Sequence, residues 1–216
     1  MFWIEIGISA LIAFAATFAG VYVAFSKERR RAAAEETEQF GQILNSVLNE
    51  SANNEAMLNE IQSKARGGTT LIHELFTETL QIALGSPVFY RKAGHSLVMA
   101  ARLVRTHLGK MNNLLSLYRQ AAAGGREMTQ HDAQGLKVRA GASVEFINVM
   151  QELAQAAMNQ LGMGRFIADP GWDRVRERLA AIYGKEREQL EKLGLWWVGL
   201  EDVIPIPPSQ PRLPEG

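Results

Sequence analysis

Hydrophobic and polar positions follow three different rhythms along the chain. From Ile6 to Phe25 the first is nearly continuous: twenty residues without a charge, rich in Ala, Ile, Phe and Val, with Glu5 just before them. At about 1.5 Å per residue a helix of that length spans ~30 Å, the thickness of a hydrocarbon core. The run stops at Lys27, Arg29, Arg30 and Arg31. A cleaved leader carries its basic residues before the apolar run, so this pattern predicts a retained transmembrane anchor over residues 1–26.

The second rhythm is helical. Phe40, Leu44, Val47, Leu58, Ile61 and Ala65 recur at alternating three- and four-residue steps, with Ser51 and Asn54 in the middle of the seam. This predicts a juxtamembrane, coiled-coil-like helix over 27–68, in which polar seam positions specify a partner or register. An amphipathic helix packing on its own domain has the same pattern. Arg66, Gly67 and Gly68 end it.

The same spacing continues. Leu71, Ile72, Leu75, Phe76, Ile82 and Ala83 predict a short helix over 69–84. Ser86 followed by Pro87 predicts a cap and first turn for another, over 87–122, with Leu97, Ala101, Val104, Leu108, Met111, Leu115 and Tyr118 inward. Thr129 and Asp132 resemble a capping box for a helix running to about Leu161. Asp169-Pro170 is read as the cap of a last helix, with Val175, Leu179, Ile182, Tyr183, Leu190 and Leu193 inward. No stretch alternates with period two. The expectation is an all-α chain: a single transmembrane helix, a long juxtamembrane helix, a four- to five-helix cytoplasmic bundle over 69–197, and a tail over 198–216. That tail carries five prolines in its last twelve residues, the third rhythm, and reads as extended or disordered.

Charge gives the anchor a direction. The basic cluster follows the apolar run, so the amino terminus is expected outside and the C-terminal domain in the cytoplasm, at a plasma or inner membrane. Lys27, Arg29, Arg30 and Arg31 are also candidates for contact with anionic lipid headgroups, at about 1 kcal/mol each. Ala16, Gly20 and Ala24 fall on one stripe whose small-xxx-small spacing allows close helix–helix approach in lipid. With Phe40, Leu44, Val47, Leu58 and Ile61 they form the candidate association set.

Overall the 23 basic and 23 acidic residues balance, which gives no global attraction to nucleic acid. Locally they do not. No Asp or Glu lies between Glu78 and Glu127, whereas Arg91, Lys92, Arg102, Arg105, Lys110 and Arg119 do. There is no Cys, which excludes disulfides, thiolate nucleophiles and Cys-based metal sites. The four histidines are scattered, and neither a phosphate-binding glycine loop nor a nucleophile elbow is present. No metal or cofactor is implied.

Arg102 and His107 form R-x4-H in "RLVRTH". This resembles the minimal motif of HEPN-type ribonucleases, which are all-α, and covers two residues. The resemblance implies Arg102 and His107 as catalytic candidates and RNA as substrate. The family usually has a polar residue after the Arg, where Leu103 stands here. Five positions along a helix also put the two side chains about 140° apart, so they converge only across two copies or through a local distortion. Trp196 and Trp197 beside Leu195 either close the bundle or anchor a partner. The reading that follows is a membrane-anchored scaffold, adaptor or complex subunit whose helical domain binds a protein partner or a second copy. A membrane-tethered nucleic-acid effector is the alternative.

Overall fold

The computed structural model describes residues 2–68, 74–162, 169 and 171–195, with side chains described from residue 17 onward. Six helices and no strand occur among the described residues: α1 Phe2–Lys64, α2 Glu78–Gly85, α3 Pro87–Lys92, α4 Gly94–Ala123, α5 Gln130–Gly162 and α6 Trp172–Lys192. The all-α class follows directly. The chain divides into two units, Met1–Gln42 and Ile43–Gly216.

The first unit is helical from Phe2. Phe18, Val21, Tyr22, Val23 and Phe25 are exposed although large and apolar. Gly20 has nothing within 4 Å of where a Cβ would stand. Lys27, Arg29 and Arg30 are exposed, and Arg31 pairs with Glu35 at 2.9 Å one turn on. Among the described residues no helix is long and apolar enough to cross a membrane. The side chains of residues 1–16, which make up most of the expected anchor and include Ala16, lie outside the described residues.

The second unit is a helical bundle. In it α4 packs on α5 and α6, α5 packs on α6, and α2 and α3 pack on each other and on α4. The seam expected on α1 is buried through its whole length here: Leu44, Val47, Leu58, Ile61 and Ala65 are at most 1 % exposed. This corrects the association set. Leu44, Val47, Leu58 and Ile61 are covered by the chain itself, so that face is closed to a second copy. Phe40, in the first unit, is also buried. Ser51 and Asn54 continue the buried seam, at 1 % and 0 % exposure.

Asn54 shows why a polar residue belongs there. Its side-chain amide donates to the Phe76 carbonyl at 2.7 Å and accepts from the Phe76 N–H at 2.7 Å. Asn112 of α4 does the same for Leu75, at 2.7 and 2.8 Å. Residues 74–77 are not helical, which corrects the helix expected over 69–84. The apolar spacing there suits a helix, but two asparagines offer the backbone other partners and a non-helical strap results. Residues 69–73 lie outside the described residues. At the end of the strap Glu50 of α1 accepts from the N–H groups of Thr79 and Leu80, at 2.8 and 3.3 Å. It thereby satisfies donors that the first turn of α2 leaves without an intrahelical acceptor.

The helix expected over 87–122 is broken in two. Ser86 accepts from Phe89 N–H and Pro87 opens α3 as anticipated, but Gly94 has φ +69°, a conformation that cannot continue a right-handed helix. α4 therefore starts anew. Its first turn is capped by Asp169, whose carboxylate accepts from the Ser96 N–H at 3.0 Å and from the Ser96 hydroxyl. The role given to Asp169 is thus corrected: the residue before α6 is Gly171, φ +90°, with no side-chain cap. Toward α6, Asp169 accepts from the Gly171 N–H at 3.0 Å. Thr129 and Asp132 form the reciprocal cap of α5: Thr129 Oγ1 accepts from Asp132 N–H at 3.1 Å and Asp132 accepts from Thr129 N–H at 3.2 Å.

Candidate functional site

His107 lies on the buried face of α4, one step beyond Val104 on the stripe that carries Leu108 and Met111. It is 6 % exposed. Its ring packs against Phe146 of α5, centroids 4.9 Å apart, and meets Tyr183 of α6 edge-on at 6.2 Å. Opposite it stands Glu186, 2 % exposed, with Oε1 3.9 Å from His107 Nε2. That distance is too long for a hydrogen bond. Neither ring nitrogen of His107 and neither carboxyl oxygen of Glu186 has a hydrogen-bond partner among the described residues.

These two groups are held away from their ordinary protonation. Burial lowers the His107 pKa to about 4; the positive charges of Arg139 and Lys110 add to this, and the nearby Arg139 backbone, outside hydrogen-bonding geometry, works against it. Burial raises the Glu186 pKa to about 7, even though Arg139 and Lys110 favour its ionised form. Burial, then the Glu186 charge, pushes the Tyr183 phenol up. Near neutral pH the imidazole is uncharged and the carboxyl group is close to half ionised, so the pair is not a conventional salt bridge.

A pocket of about 250 Å³ opens beside the pair. Lys110, Met111, Leu114 and Leu117 of α4 form one wall; Arg139 of α5 and Tyr183 of α6 form the others. Leu117 is 61 % exposed at the rim. A buried acid, a neutral imidazole, two cations and an apolar wall thus converge on one small space, a combination that marks binding and catalytic sites.

The R-x4-H pair is not assembled. Arg102 is on the surface, where its guanidinium donates to the Tyr90 hydroxyl at 2.7 Å and lies 5.5 Å from that ring's centre. His107 points into the core. The partner that His107 does meet is Glu186 of α6, which is not among the candidates named from the sequence. A signal existed: Leu179, Tyr183, Glu186 and Leu190 step by four, three and four along α6. Glu186 therefore occupies an inward position. Among the described residues no group of three or more His, Asp or Glu side chains could hold a metal ion. Trp196 and Trp197, the aromatic partner-binding candidates, lie outside the described residues, as does the proline-rich tail.

Comparison with protein-family models, with curated proteins and with solved structures finds no match for this chain.

Proposed function

We propose that this chain is a single-pass membrane protein whose helical bundle, on the cytoplasmic side, serves as a scaffold, adaptor or complex subunit that binds a protein partner or a second copy. The observation that carries this reading is the charge-free run Ile6–Phe25 ending at Lys27, Arg29, Arg30 and Arg31, within a continuous helix. Where side chains are described, the run keeps Phe18, Val21, Tyr22, Val23 and Phe25 exposed. A helix apolar on all sides suits lipid or a membrane partner better than water. The basic cluster then fixes the orientation and can meet anionic headgroups. Self-association, in this reading, runs through Ala16, Gly20 and Ala24, since the bundle part of the α1 seam is occupied.

The test is fractionation followed by crosslinking. The full chain should sediment with membranes and resist alkaline carbonate extraction, and a chain lacking residues 1–26 should not. Crosslinking in native membranes should then recover a stoichiometric protein partner or a multiple of this chain. A full-length chain that stays in the supernatant removes the anchor. Recovery of RNA that depends on Arg102 and Arg105 replaces the scaffold with the nucleic-acid effector.

A further inference from the structure

The pocket between α4, α5 and α6 has no task in an anchor or a scaffold. His107 and Glu186 line it, each more than nine-tenths buried, and present four polar atoms that have no hydrogen-bond partner among the described residues. A buried polar group left unsatisfied costs about 1–3 kcal/mol, and more when charged, so an occupant that supplies donors to Glu186 gains what the protein lacks.

The walls narrow the chemistry of that occupant. A plain cation would suit Glu186 but meet the positive charges of Lys110 and Arg139. A plain anion would suit those two and be set beside the carboxyl group. A molecule with an ammonium at one end of a short frame and a carboxylate at the other answers both. The neutral His107 ring adds an acceptor for the ammonium. Met111, Leu114 and Leu117 offer an apolar surface for a side chain. We infer that this pocket binds a small α-amino acid with an apolar side chain: its ammonium on Glu186 and His107, its carboxylate toward Lys110 and Arg139, its side chain along Met111, Leu114 and Leu117.

Binding is linked to pH through Glu186. The groups that face it are His107 and Lys110 from α4, Lys137, Arg139 and Glu145 from α5, and Tyr183 and Lys185 on its own helix; α1 contributes the uncharged Gln62. Glu186 is the one whose titration lies near neutrality, and it must be ionised to hold an ammonium. Affinity therefore rises about tenfold from pH 6 to pH 8.

The experiment is calorimetric titration of the full chain in detergent micelles with L-leucine at pH 6 and pH 8. Leucinamide, which lacks the carboxylate, and 4-methylpentanoate, which lacks the amine, are titrated alongside. Leucine should bind at both pH values with the rise stated, and each one-ended analogue about tenfold more weakly. Glu186→Gln, nearly the same shape, should abolish the pH dependence and weaken leucine about tenfold, with helical circular dichroism retained. Lys110→Gln, at the partly exposed rim, should weaken leucine and narrow the gap between leucine and leucinamide, because the carboxylate loses a cation and the plain ammonium loses a like charge. No heat from leucine up to on the order of 10 mM means that the pocket holds water alone and overturns the inference. So does a 4-methylpentanoate affinity equal to that of leucine, or an unchanged pH profile in Glu186→Gln. None of these results depends on whether the chain is anchored in a membrane.

Discussion

Asn54 and Asn112 hold adjacent residues of one strap in the same way. Each uses both ends of its side-chain amide on a single backbone unit, Asn54 on Phe76 and Asn112 on Leu75. Adjacent residues of the strap are thus gripped from α1 and α4 together. Leu75 is 2 % exposed and Phe76 is 47 % exposed. Asn54→Ala or Asn112→Ala removes two hydrogen bonds and strands two backbone groups, and should cost about 2–3 kcal/mol. Urea unfolding of the full chain in micelles, followed by circular dichroism, measures it. A loss under about 0.5 kcal/mol would mean that water replaces the amide at no cost.

Glu50→Ala should destabilise the chain by about 1–2 kcal/mol, because the Thr79 and Leu80 N–H groups lose their acceptor. The effect should be local. Amide exchange in the first turn of α2 should quicken while α5 and α6 stay protected.

The His107–Glu186 pair should be nearly invisible to pH in the intact protein. Glu186 titrates near 7 when folded against 4.5 as its ordinary value, so its contribution to stability falls as pH rises from about 4.5 to 7. His107 titrates near 4 against 6.5, so its contribution falls as pH drops from about 6.5 to 4. Over the shared window the folded pair holds one proton and the unfolded pair also holds one, whichever residue carries it. The slopes cancel. Single substitutions should unmask them: Glu186→Gln leaves stability rising with pH between about 4 and 6.5, and His107→Gln leaves it falling between about 4.5 and 7, each by up to about 3 kcal/mol. Chemical unfolding from pH 4 to pH 7.5 tests both. A sloped wild-type profile with flat variants would reverse the account.

Asp169→Ala should loosen the start of α4. Burial pushes this carboxyl up, but hydrogen bonds from the Ser96 side chain and from the backbone of Ser96, Gly171 and His95 outweigh it and hold the group below its usual range. Its contribution is therefore complete above the ordinary Asp range and disappears as pH falls through its lowered folded value. The loss expected at neutral pH is that of an N-cap, about 1 kcal/mol. Asp169→Asn should lose less, since the Asn oxygen still accepts. Equal losses for the two would indicate that charge, not hydrogen bonding, supports the turn.

Apolar spacing gave a reliable guide wherever a long helix buries one stripe, as at Leu44 to Ala65 and Leu97 to Leu115. Local cap chemistry was equally legible at Thr129 and Asp132, since both members of that cap lie within four residues. What escaped was set by partners far along the chain. Asn54 resembles an interruption until Phe76, 22 residues on, is placed against it. Asp169 looks like the cap of the helix that follows it, yet serves Ser96, 73 residues earlier. Glu186 and His107 became a site only when α4 and α6 met; single-helix patterns carry no information about that meeting.

The strap has a kinetic consequence. Its holders sit on two helices and reach it across 22 to 37 residues of chain, so the loops must close before any of these bonds can form. Residues 74–77 should dock after α1 and α4 have come together, and leave as one piece when either helix shifts. The Leu75 and Phe76 amides, though outside any helix, should then exchange with solvent at one shared rate.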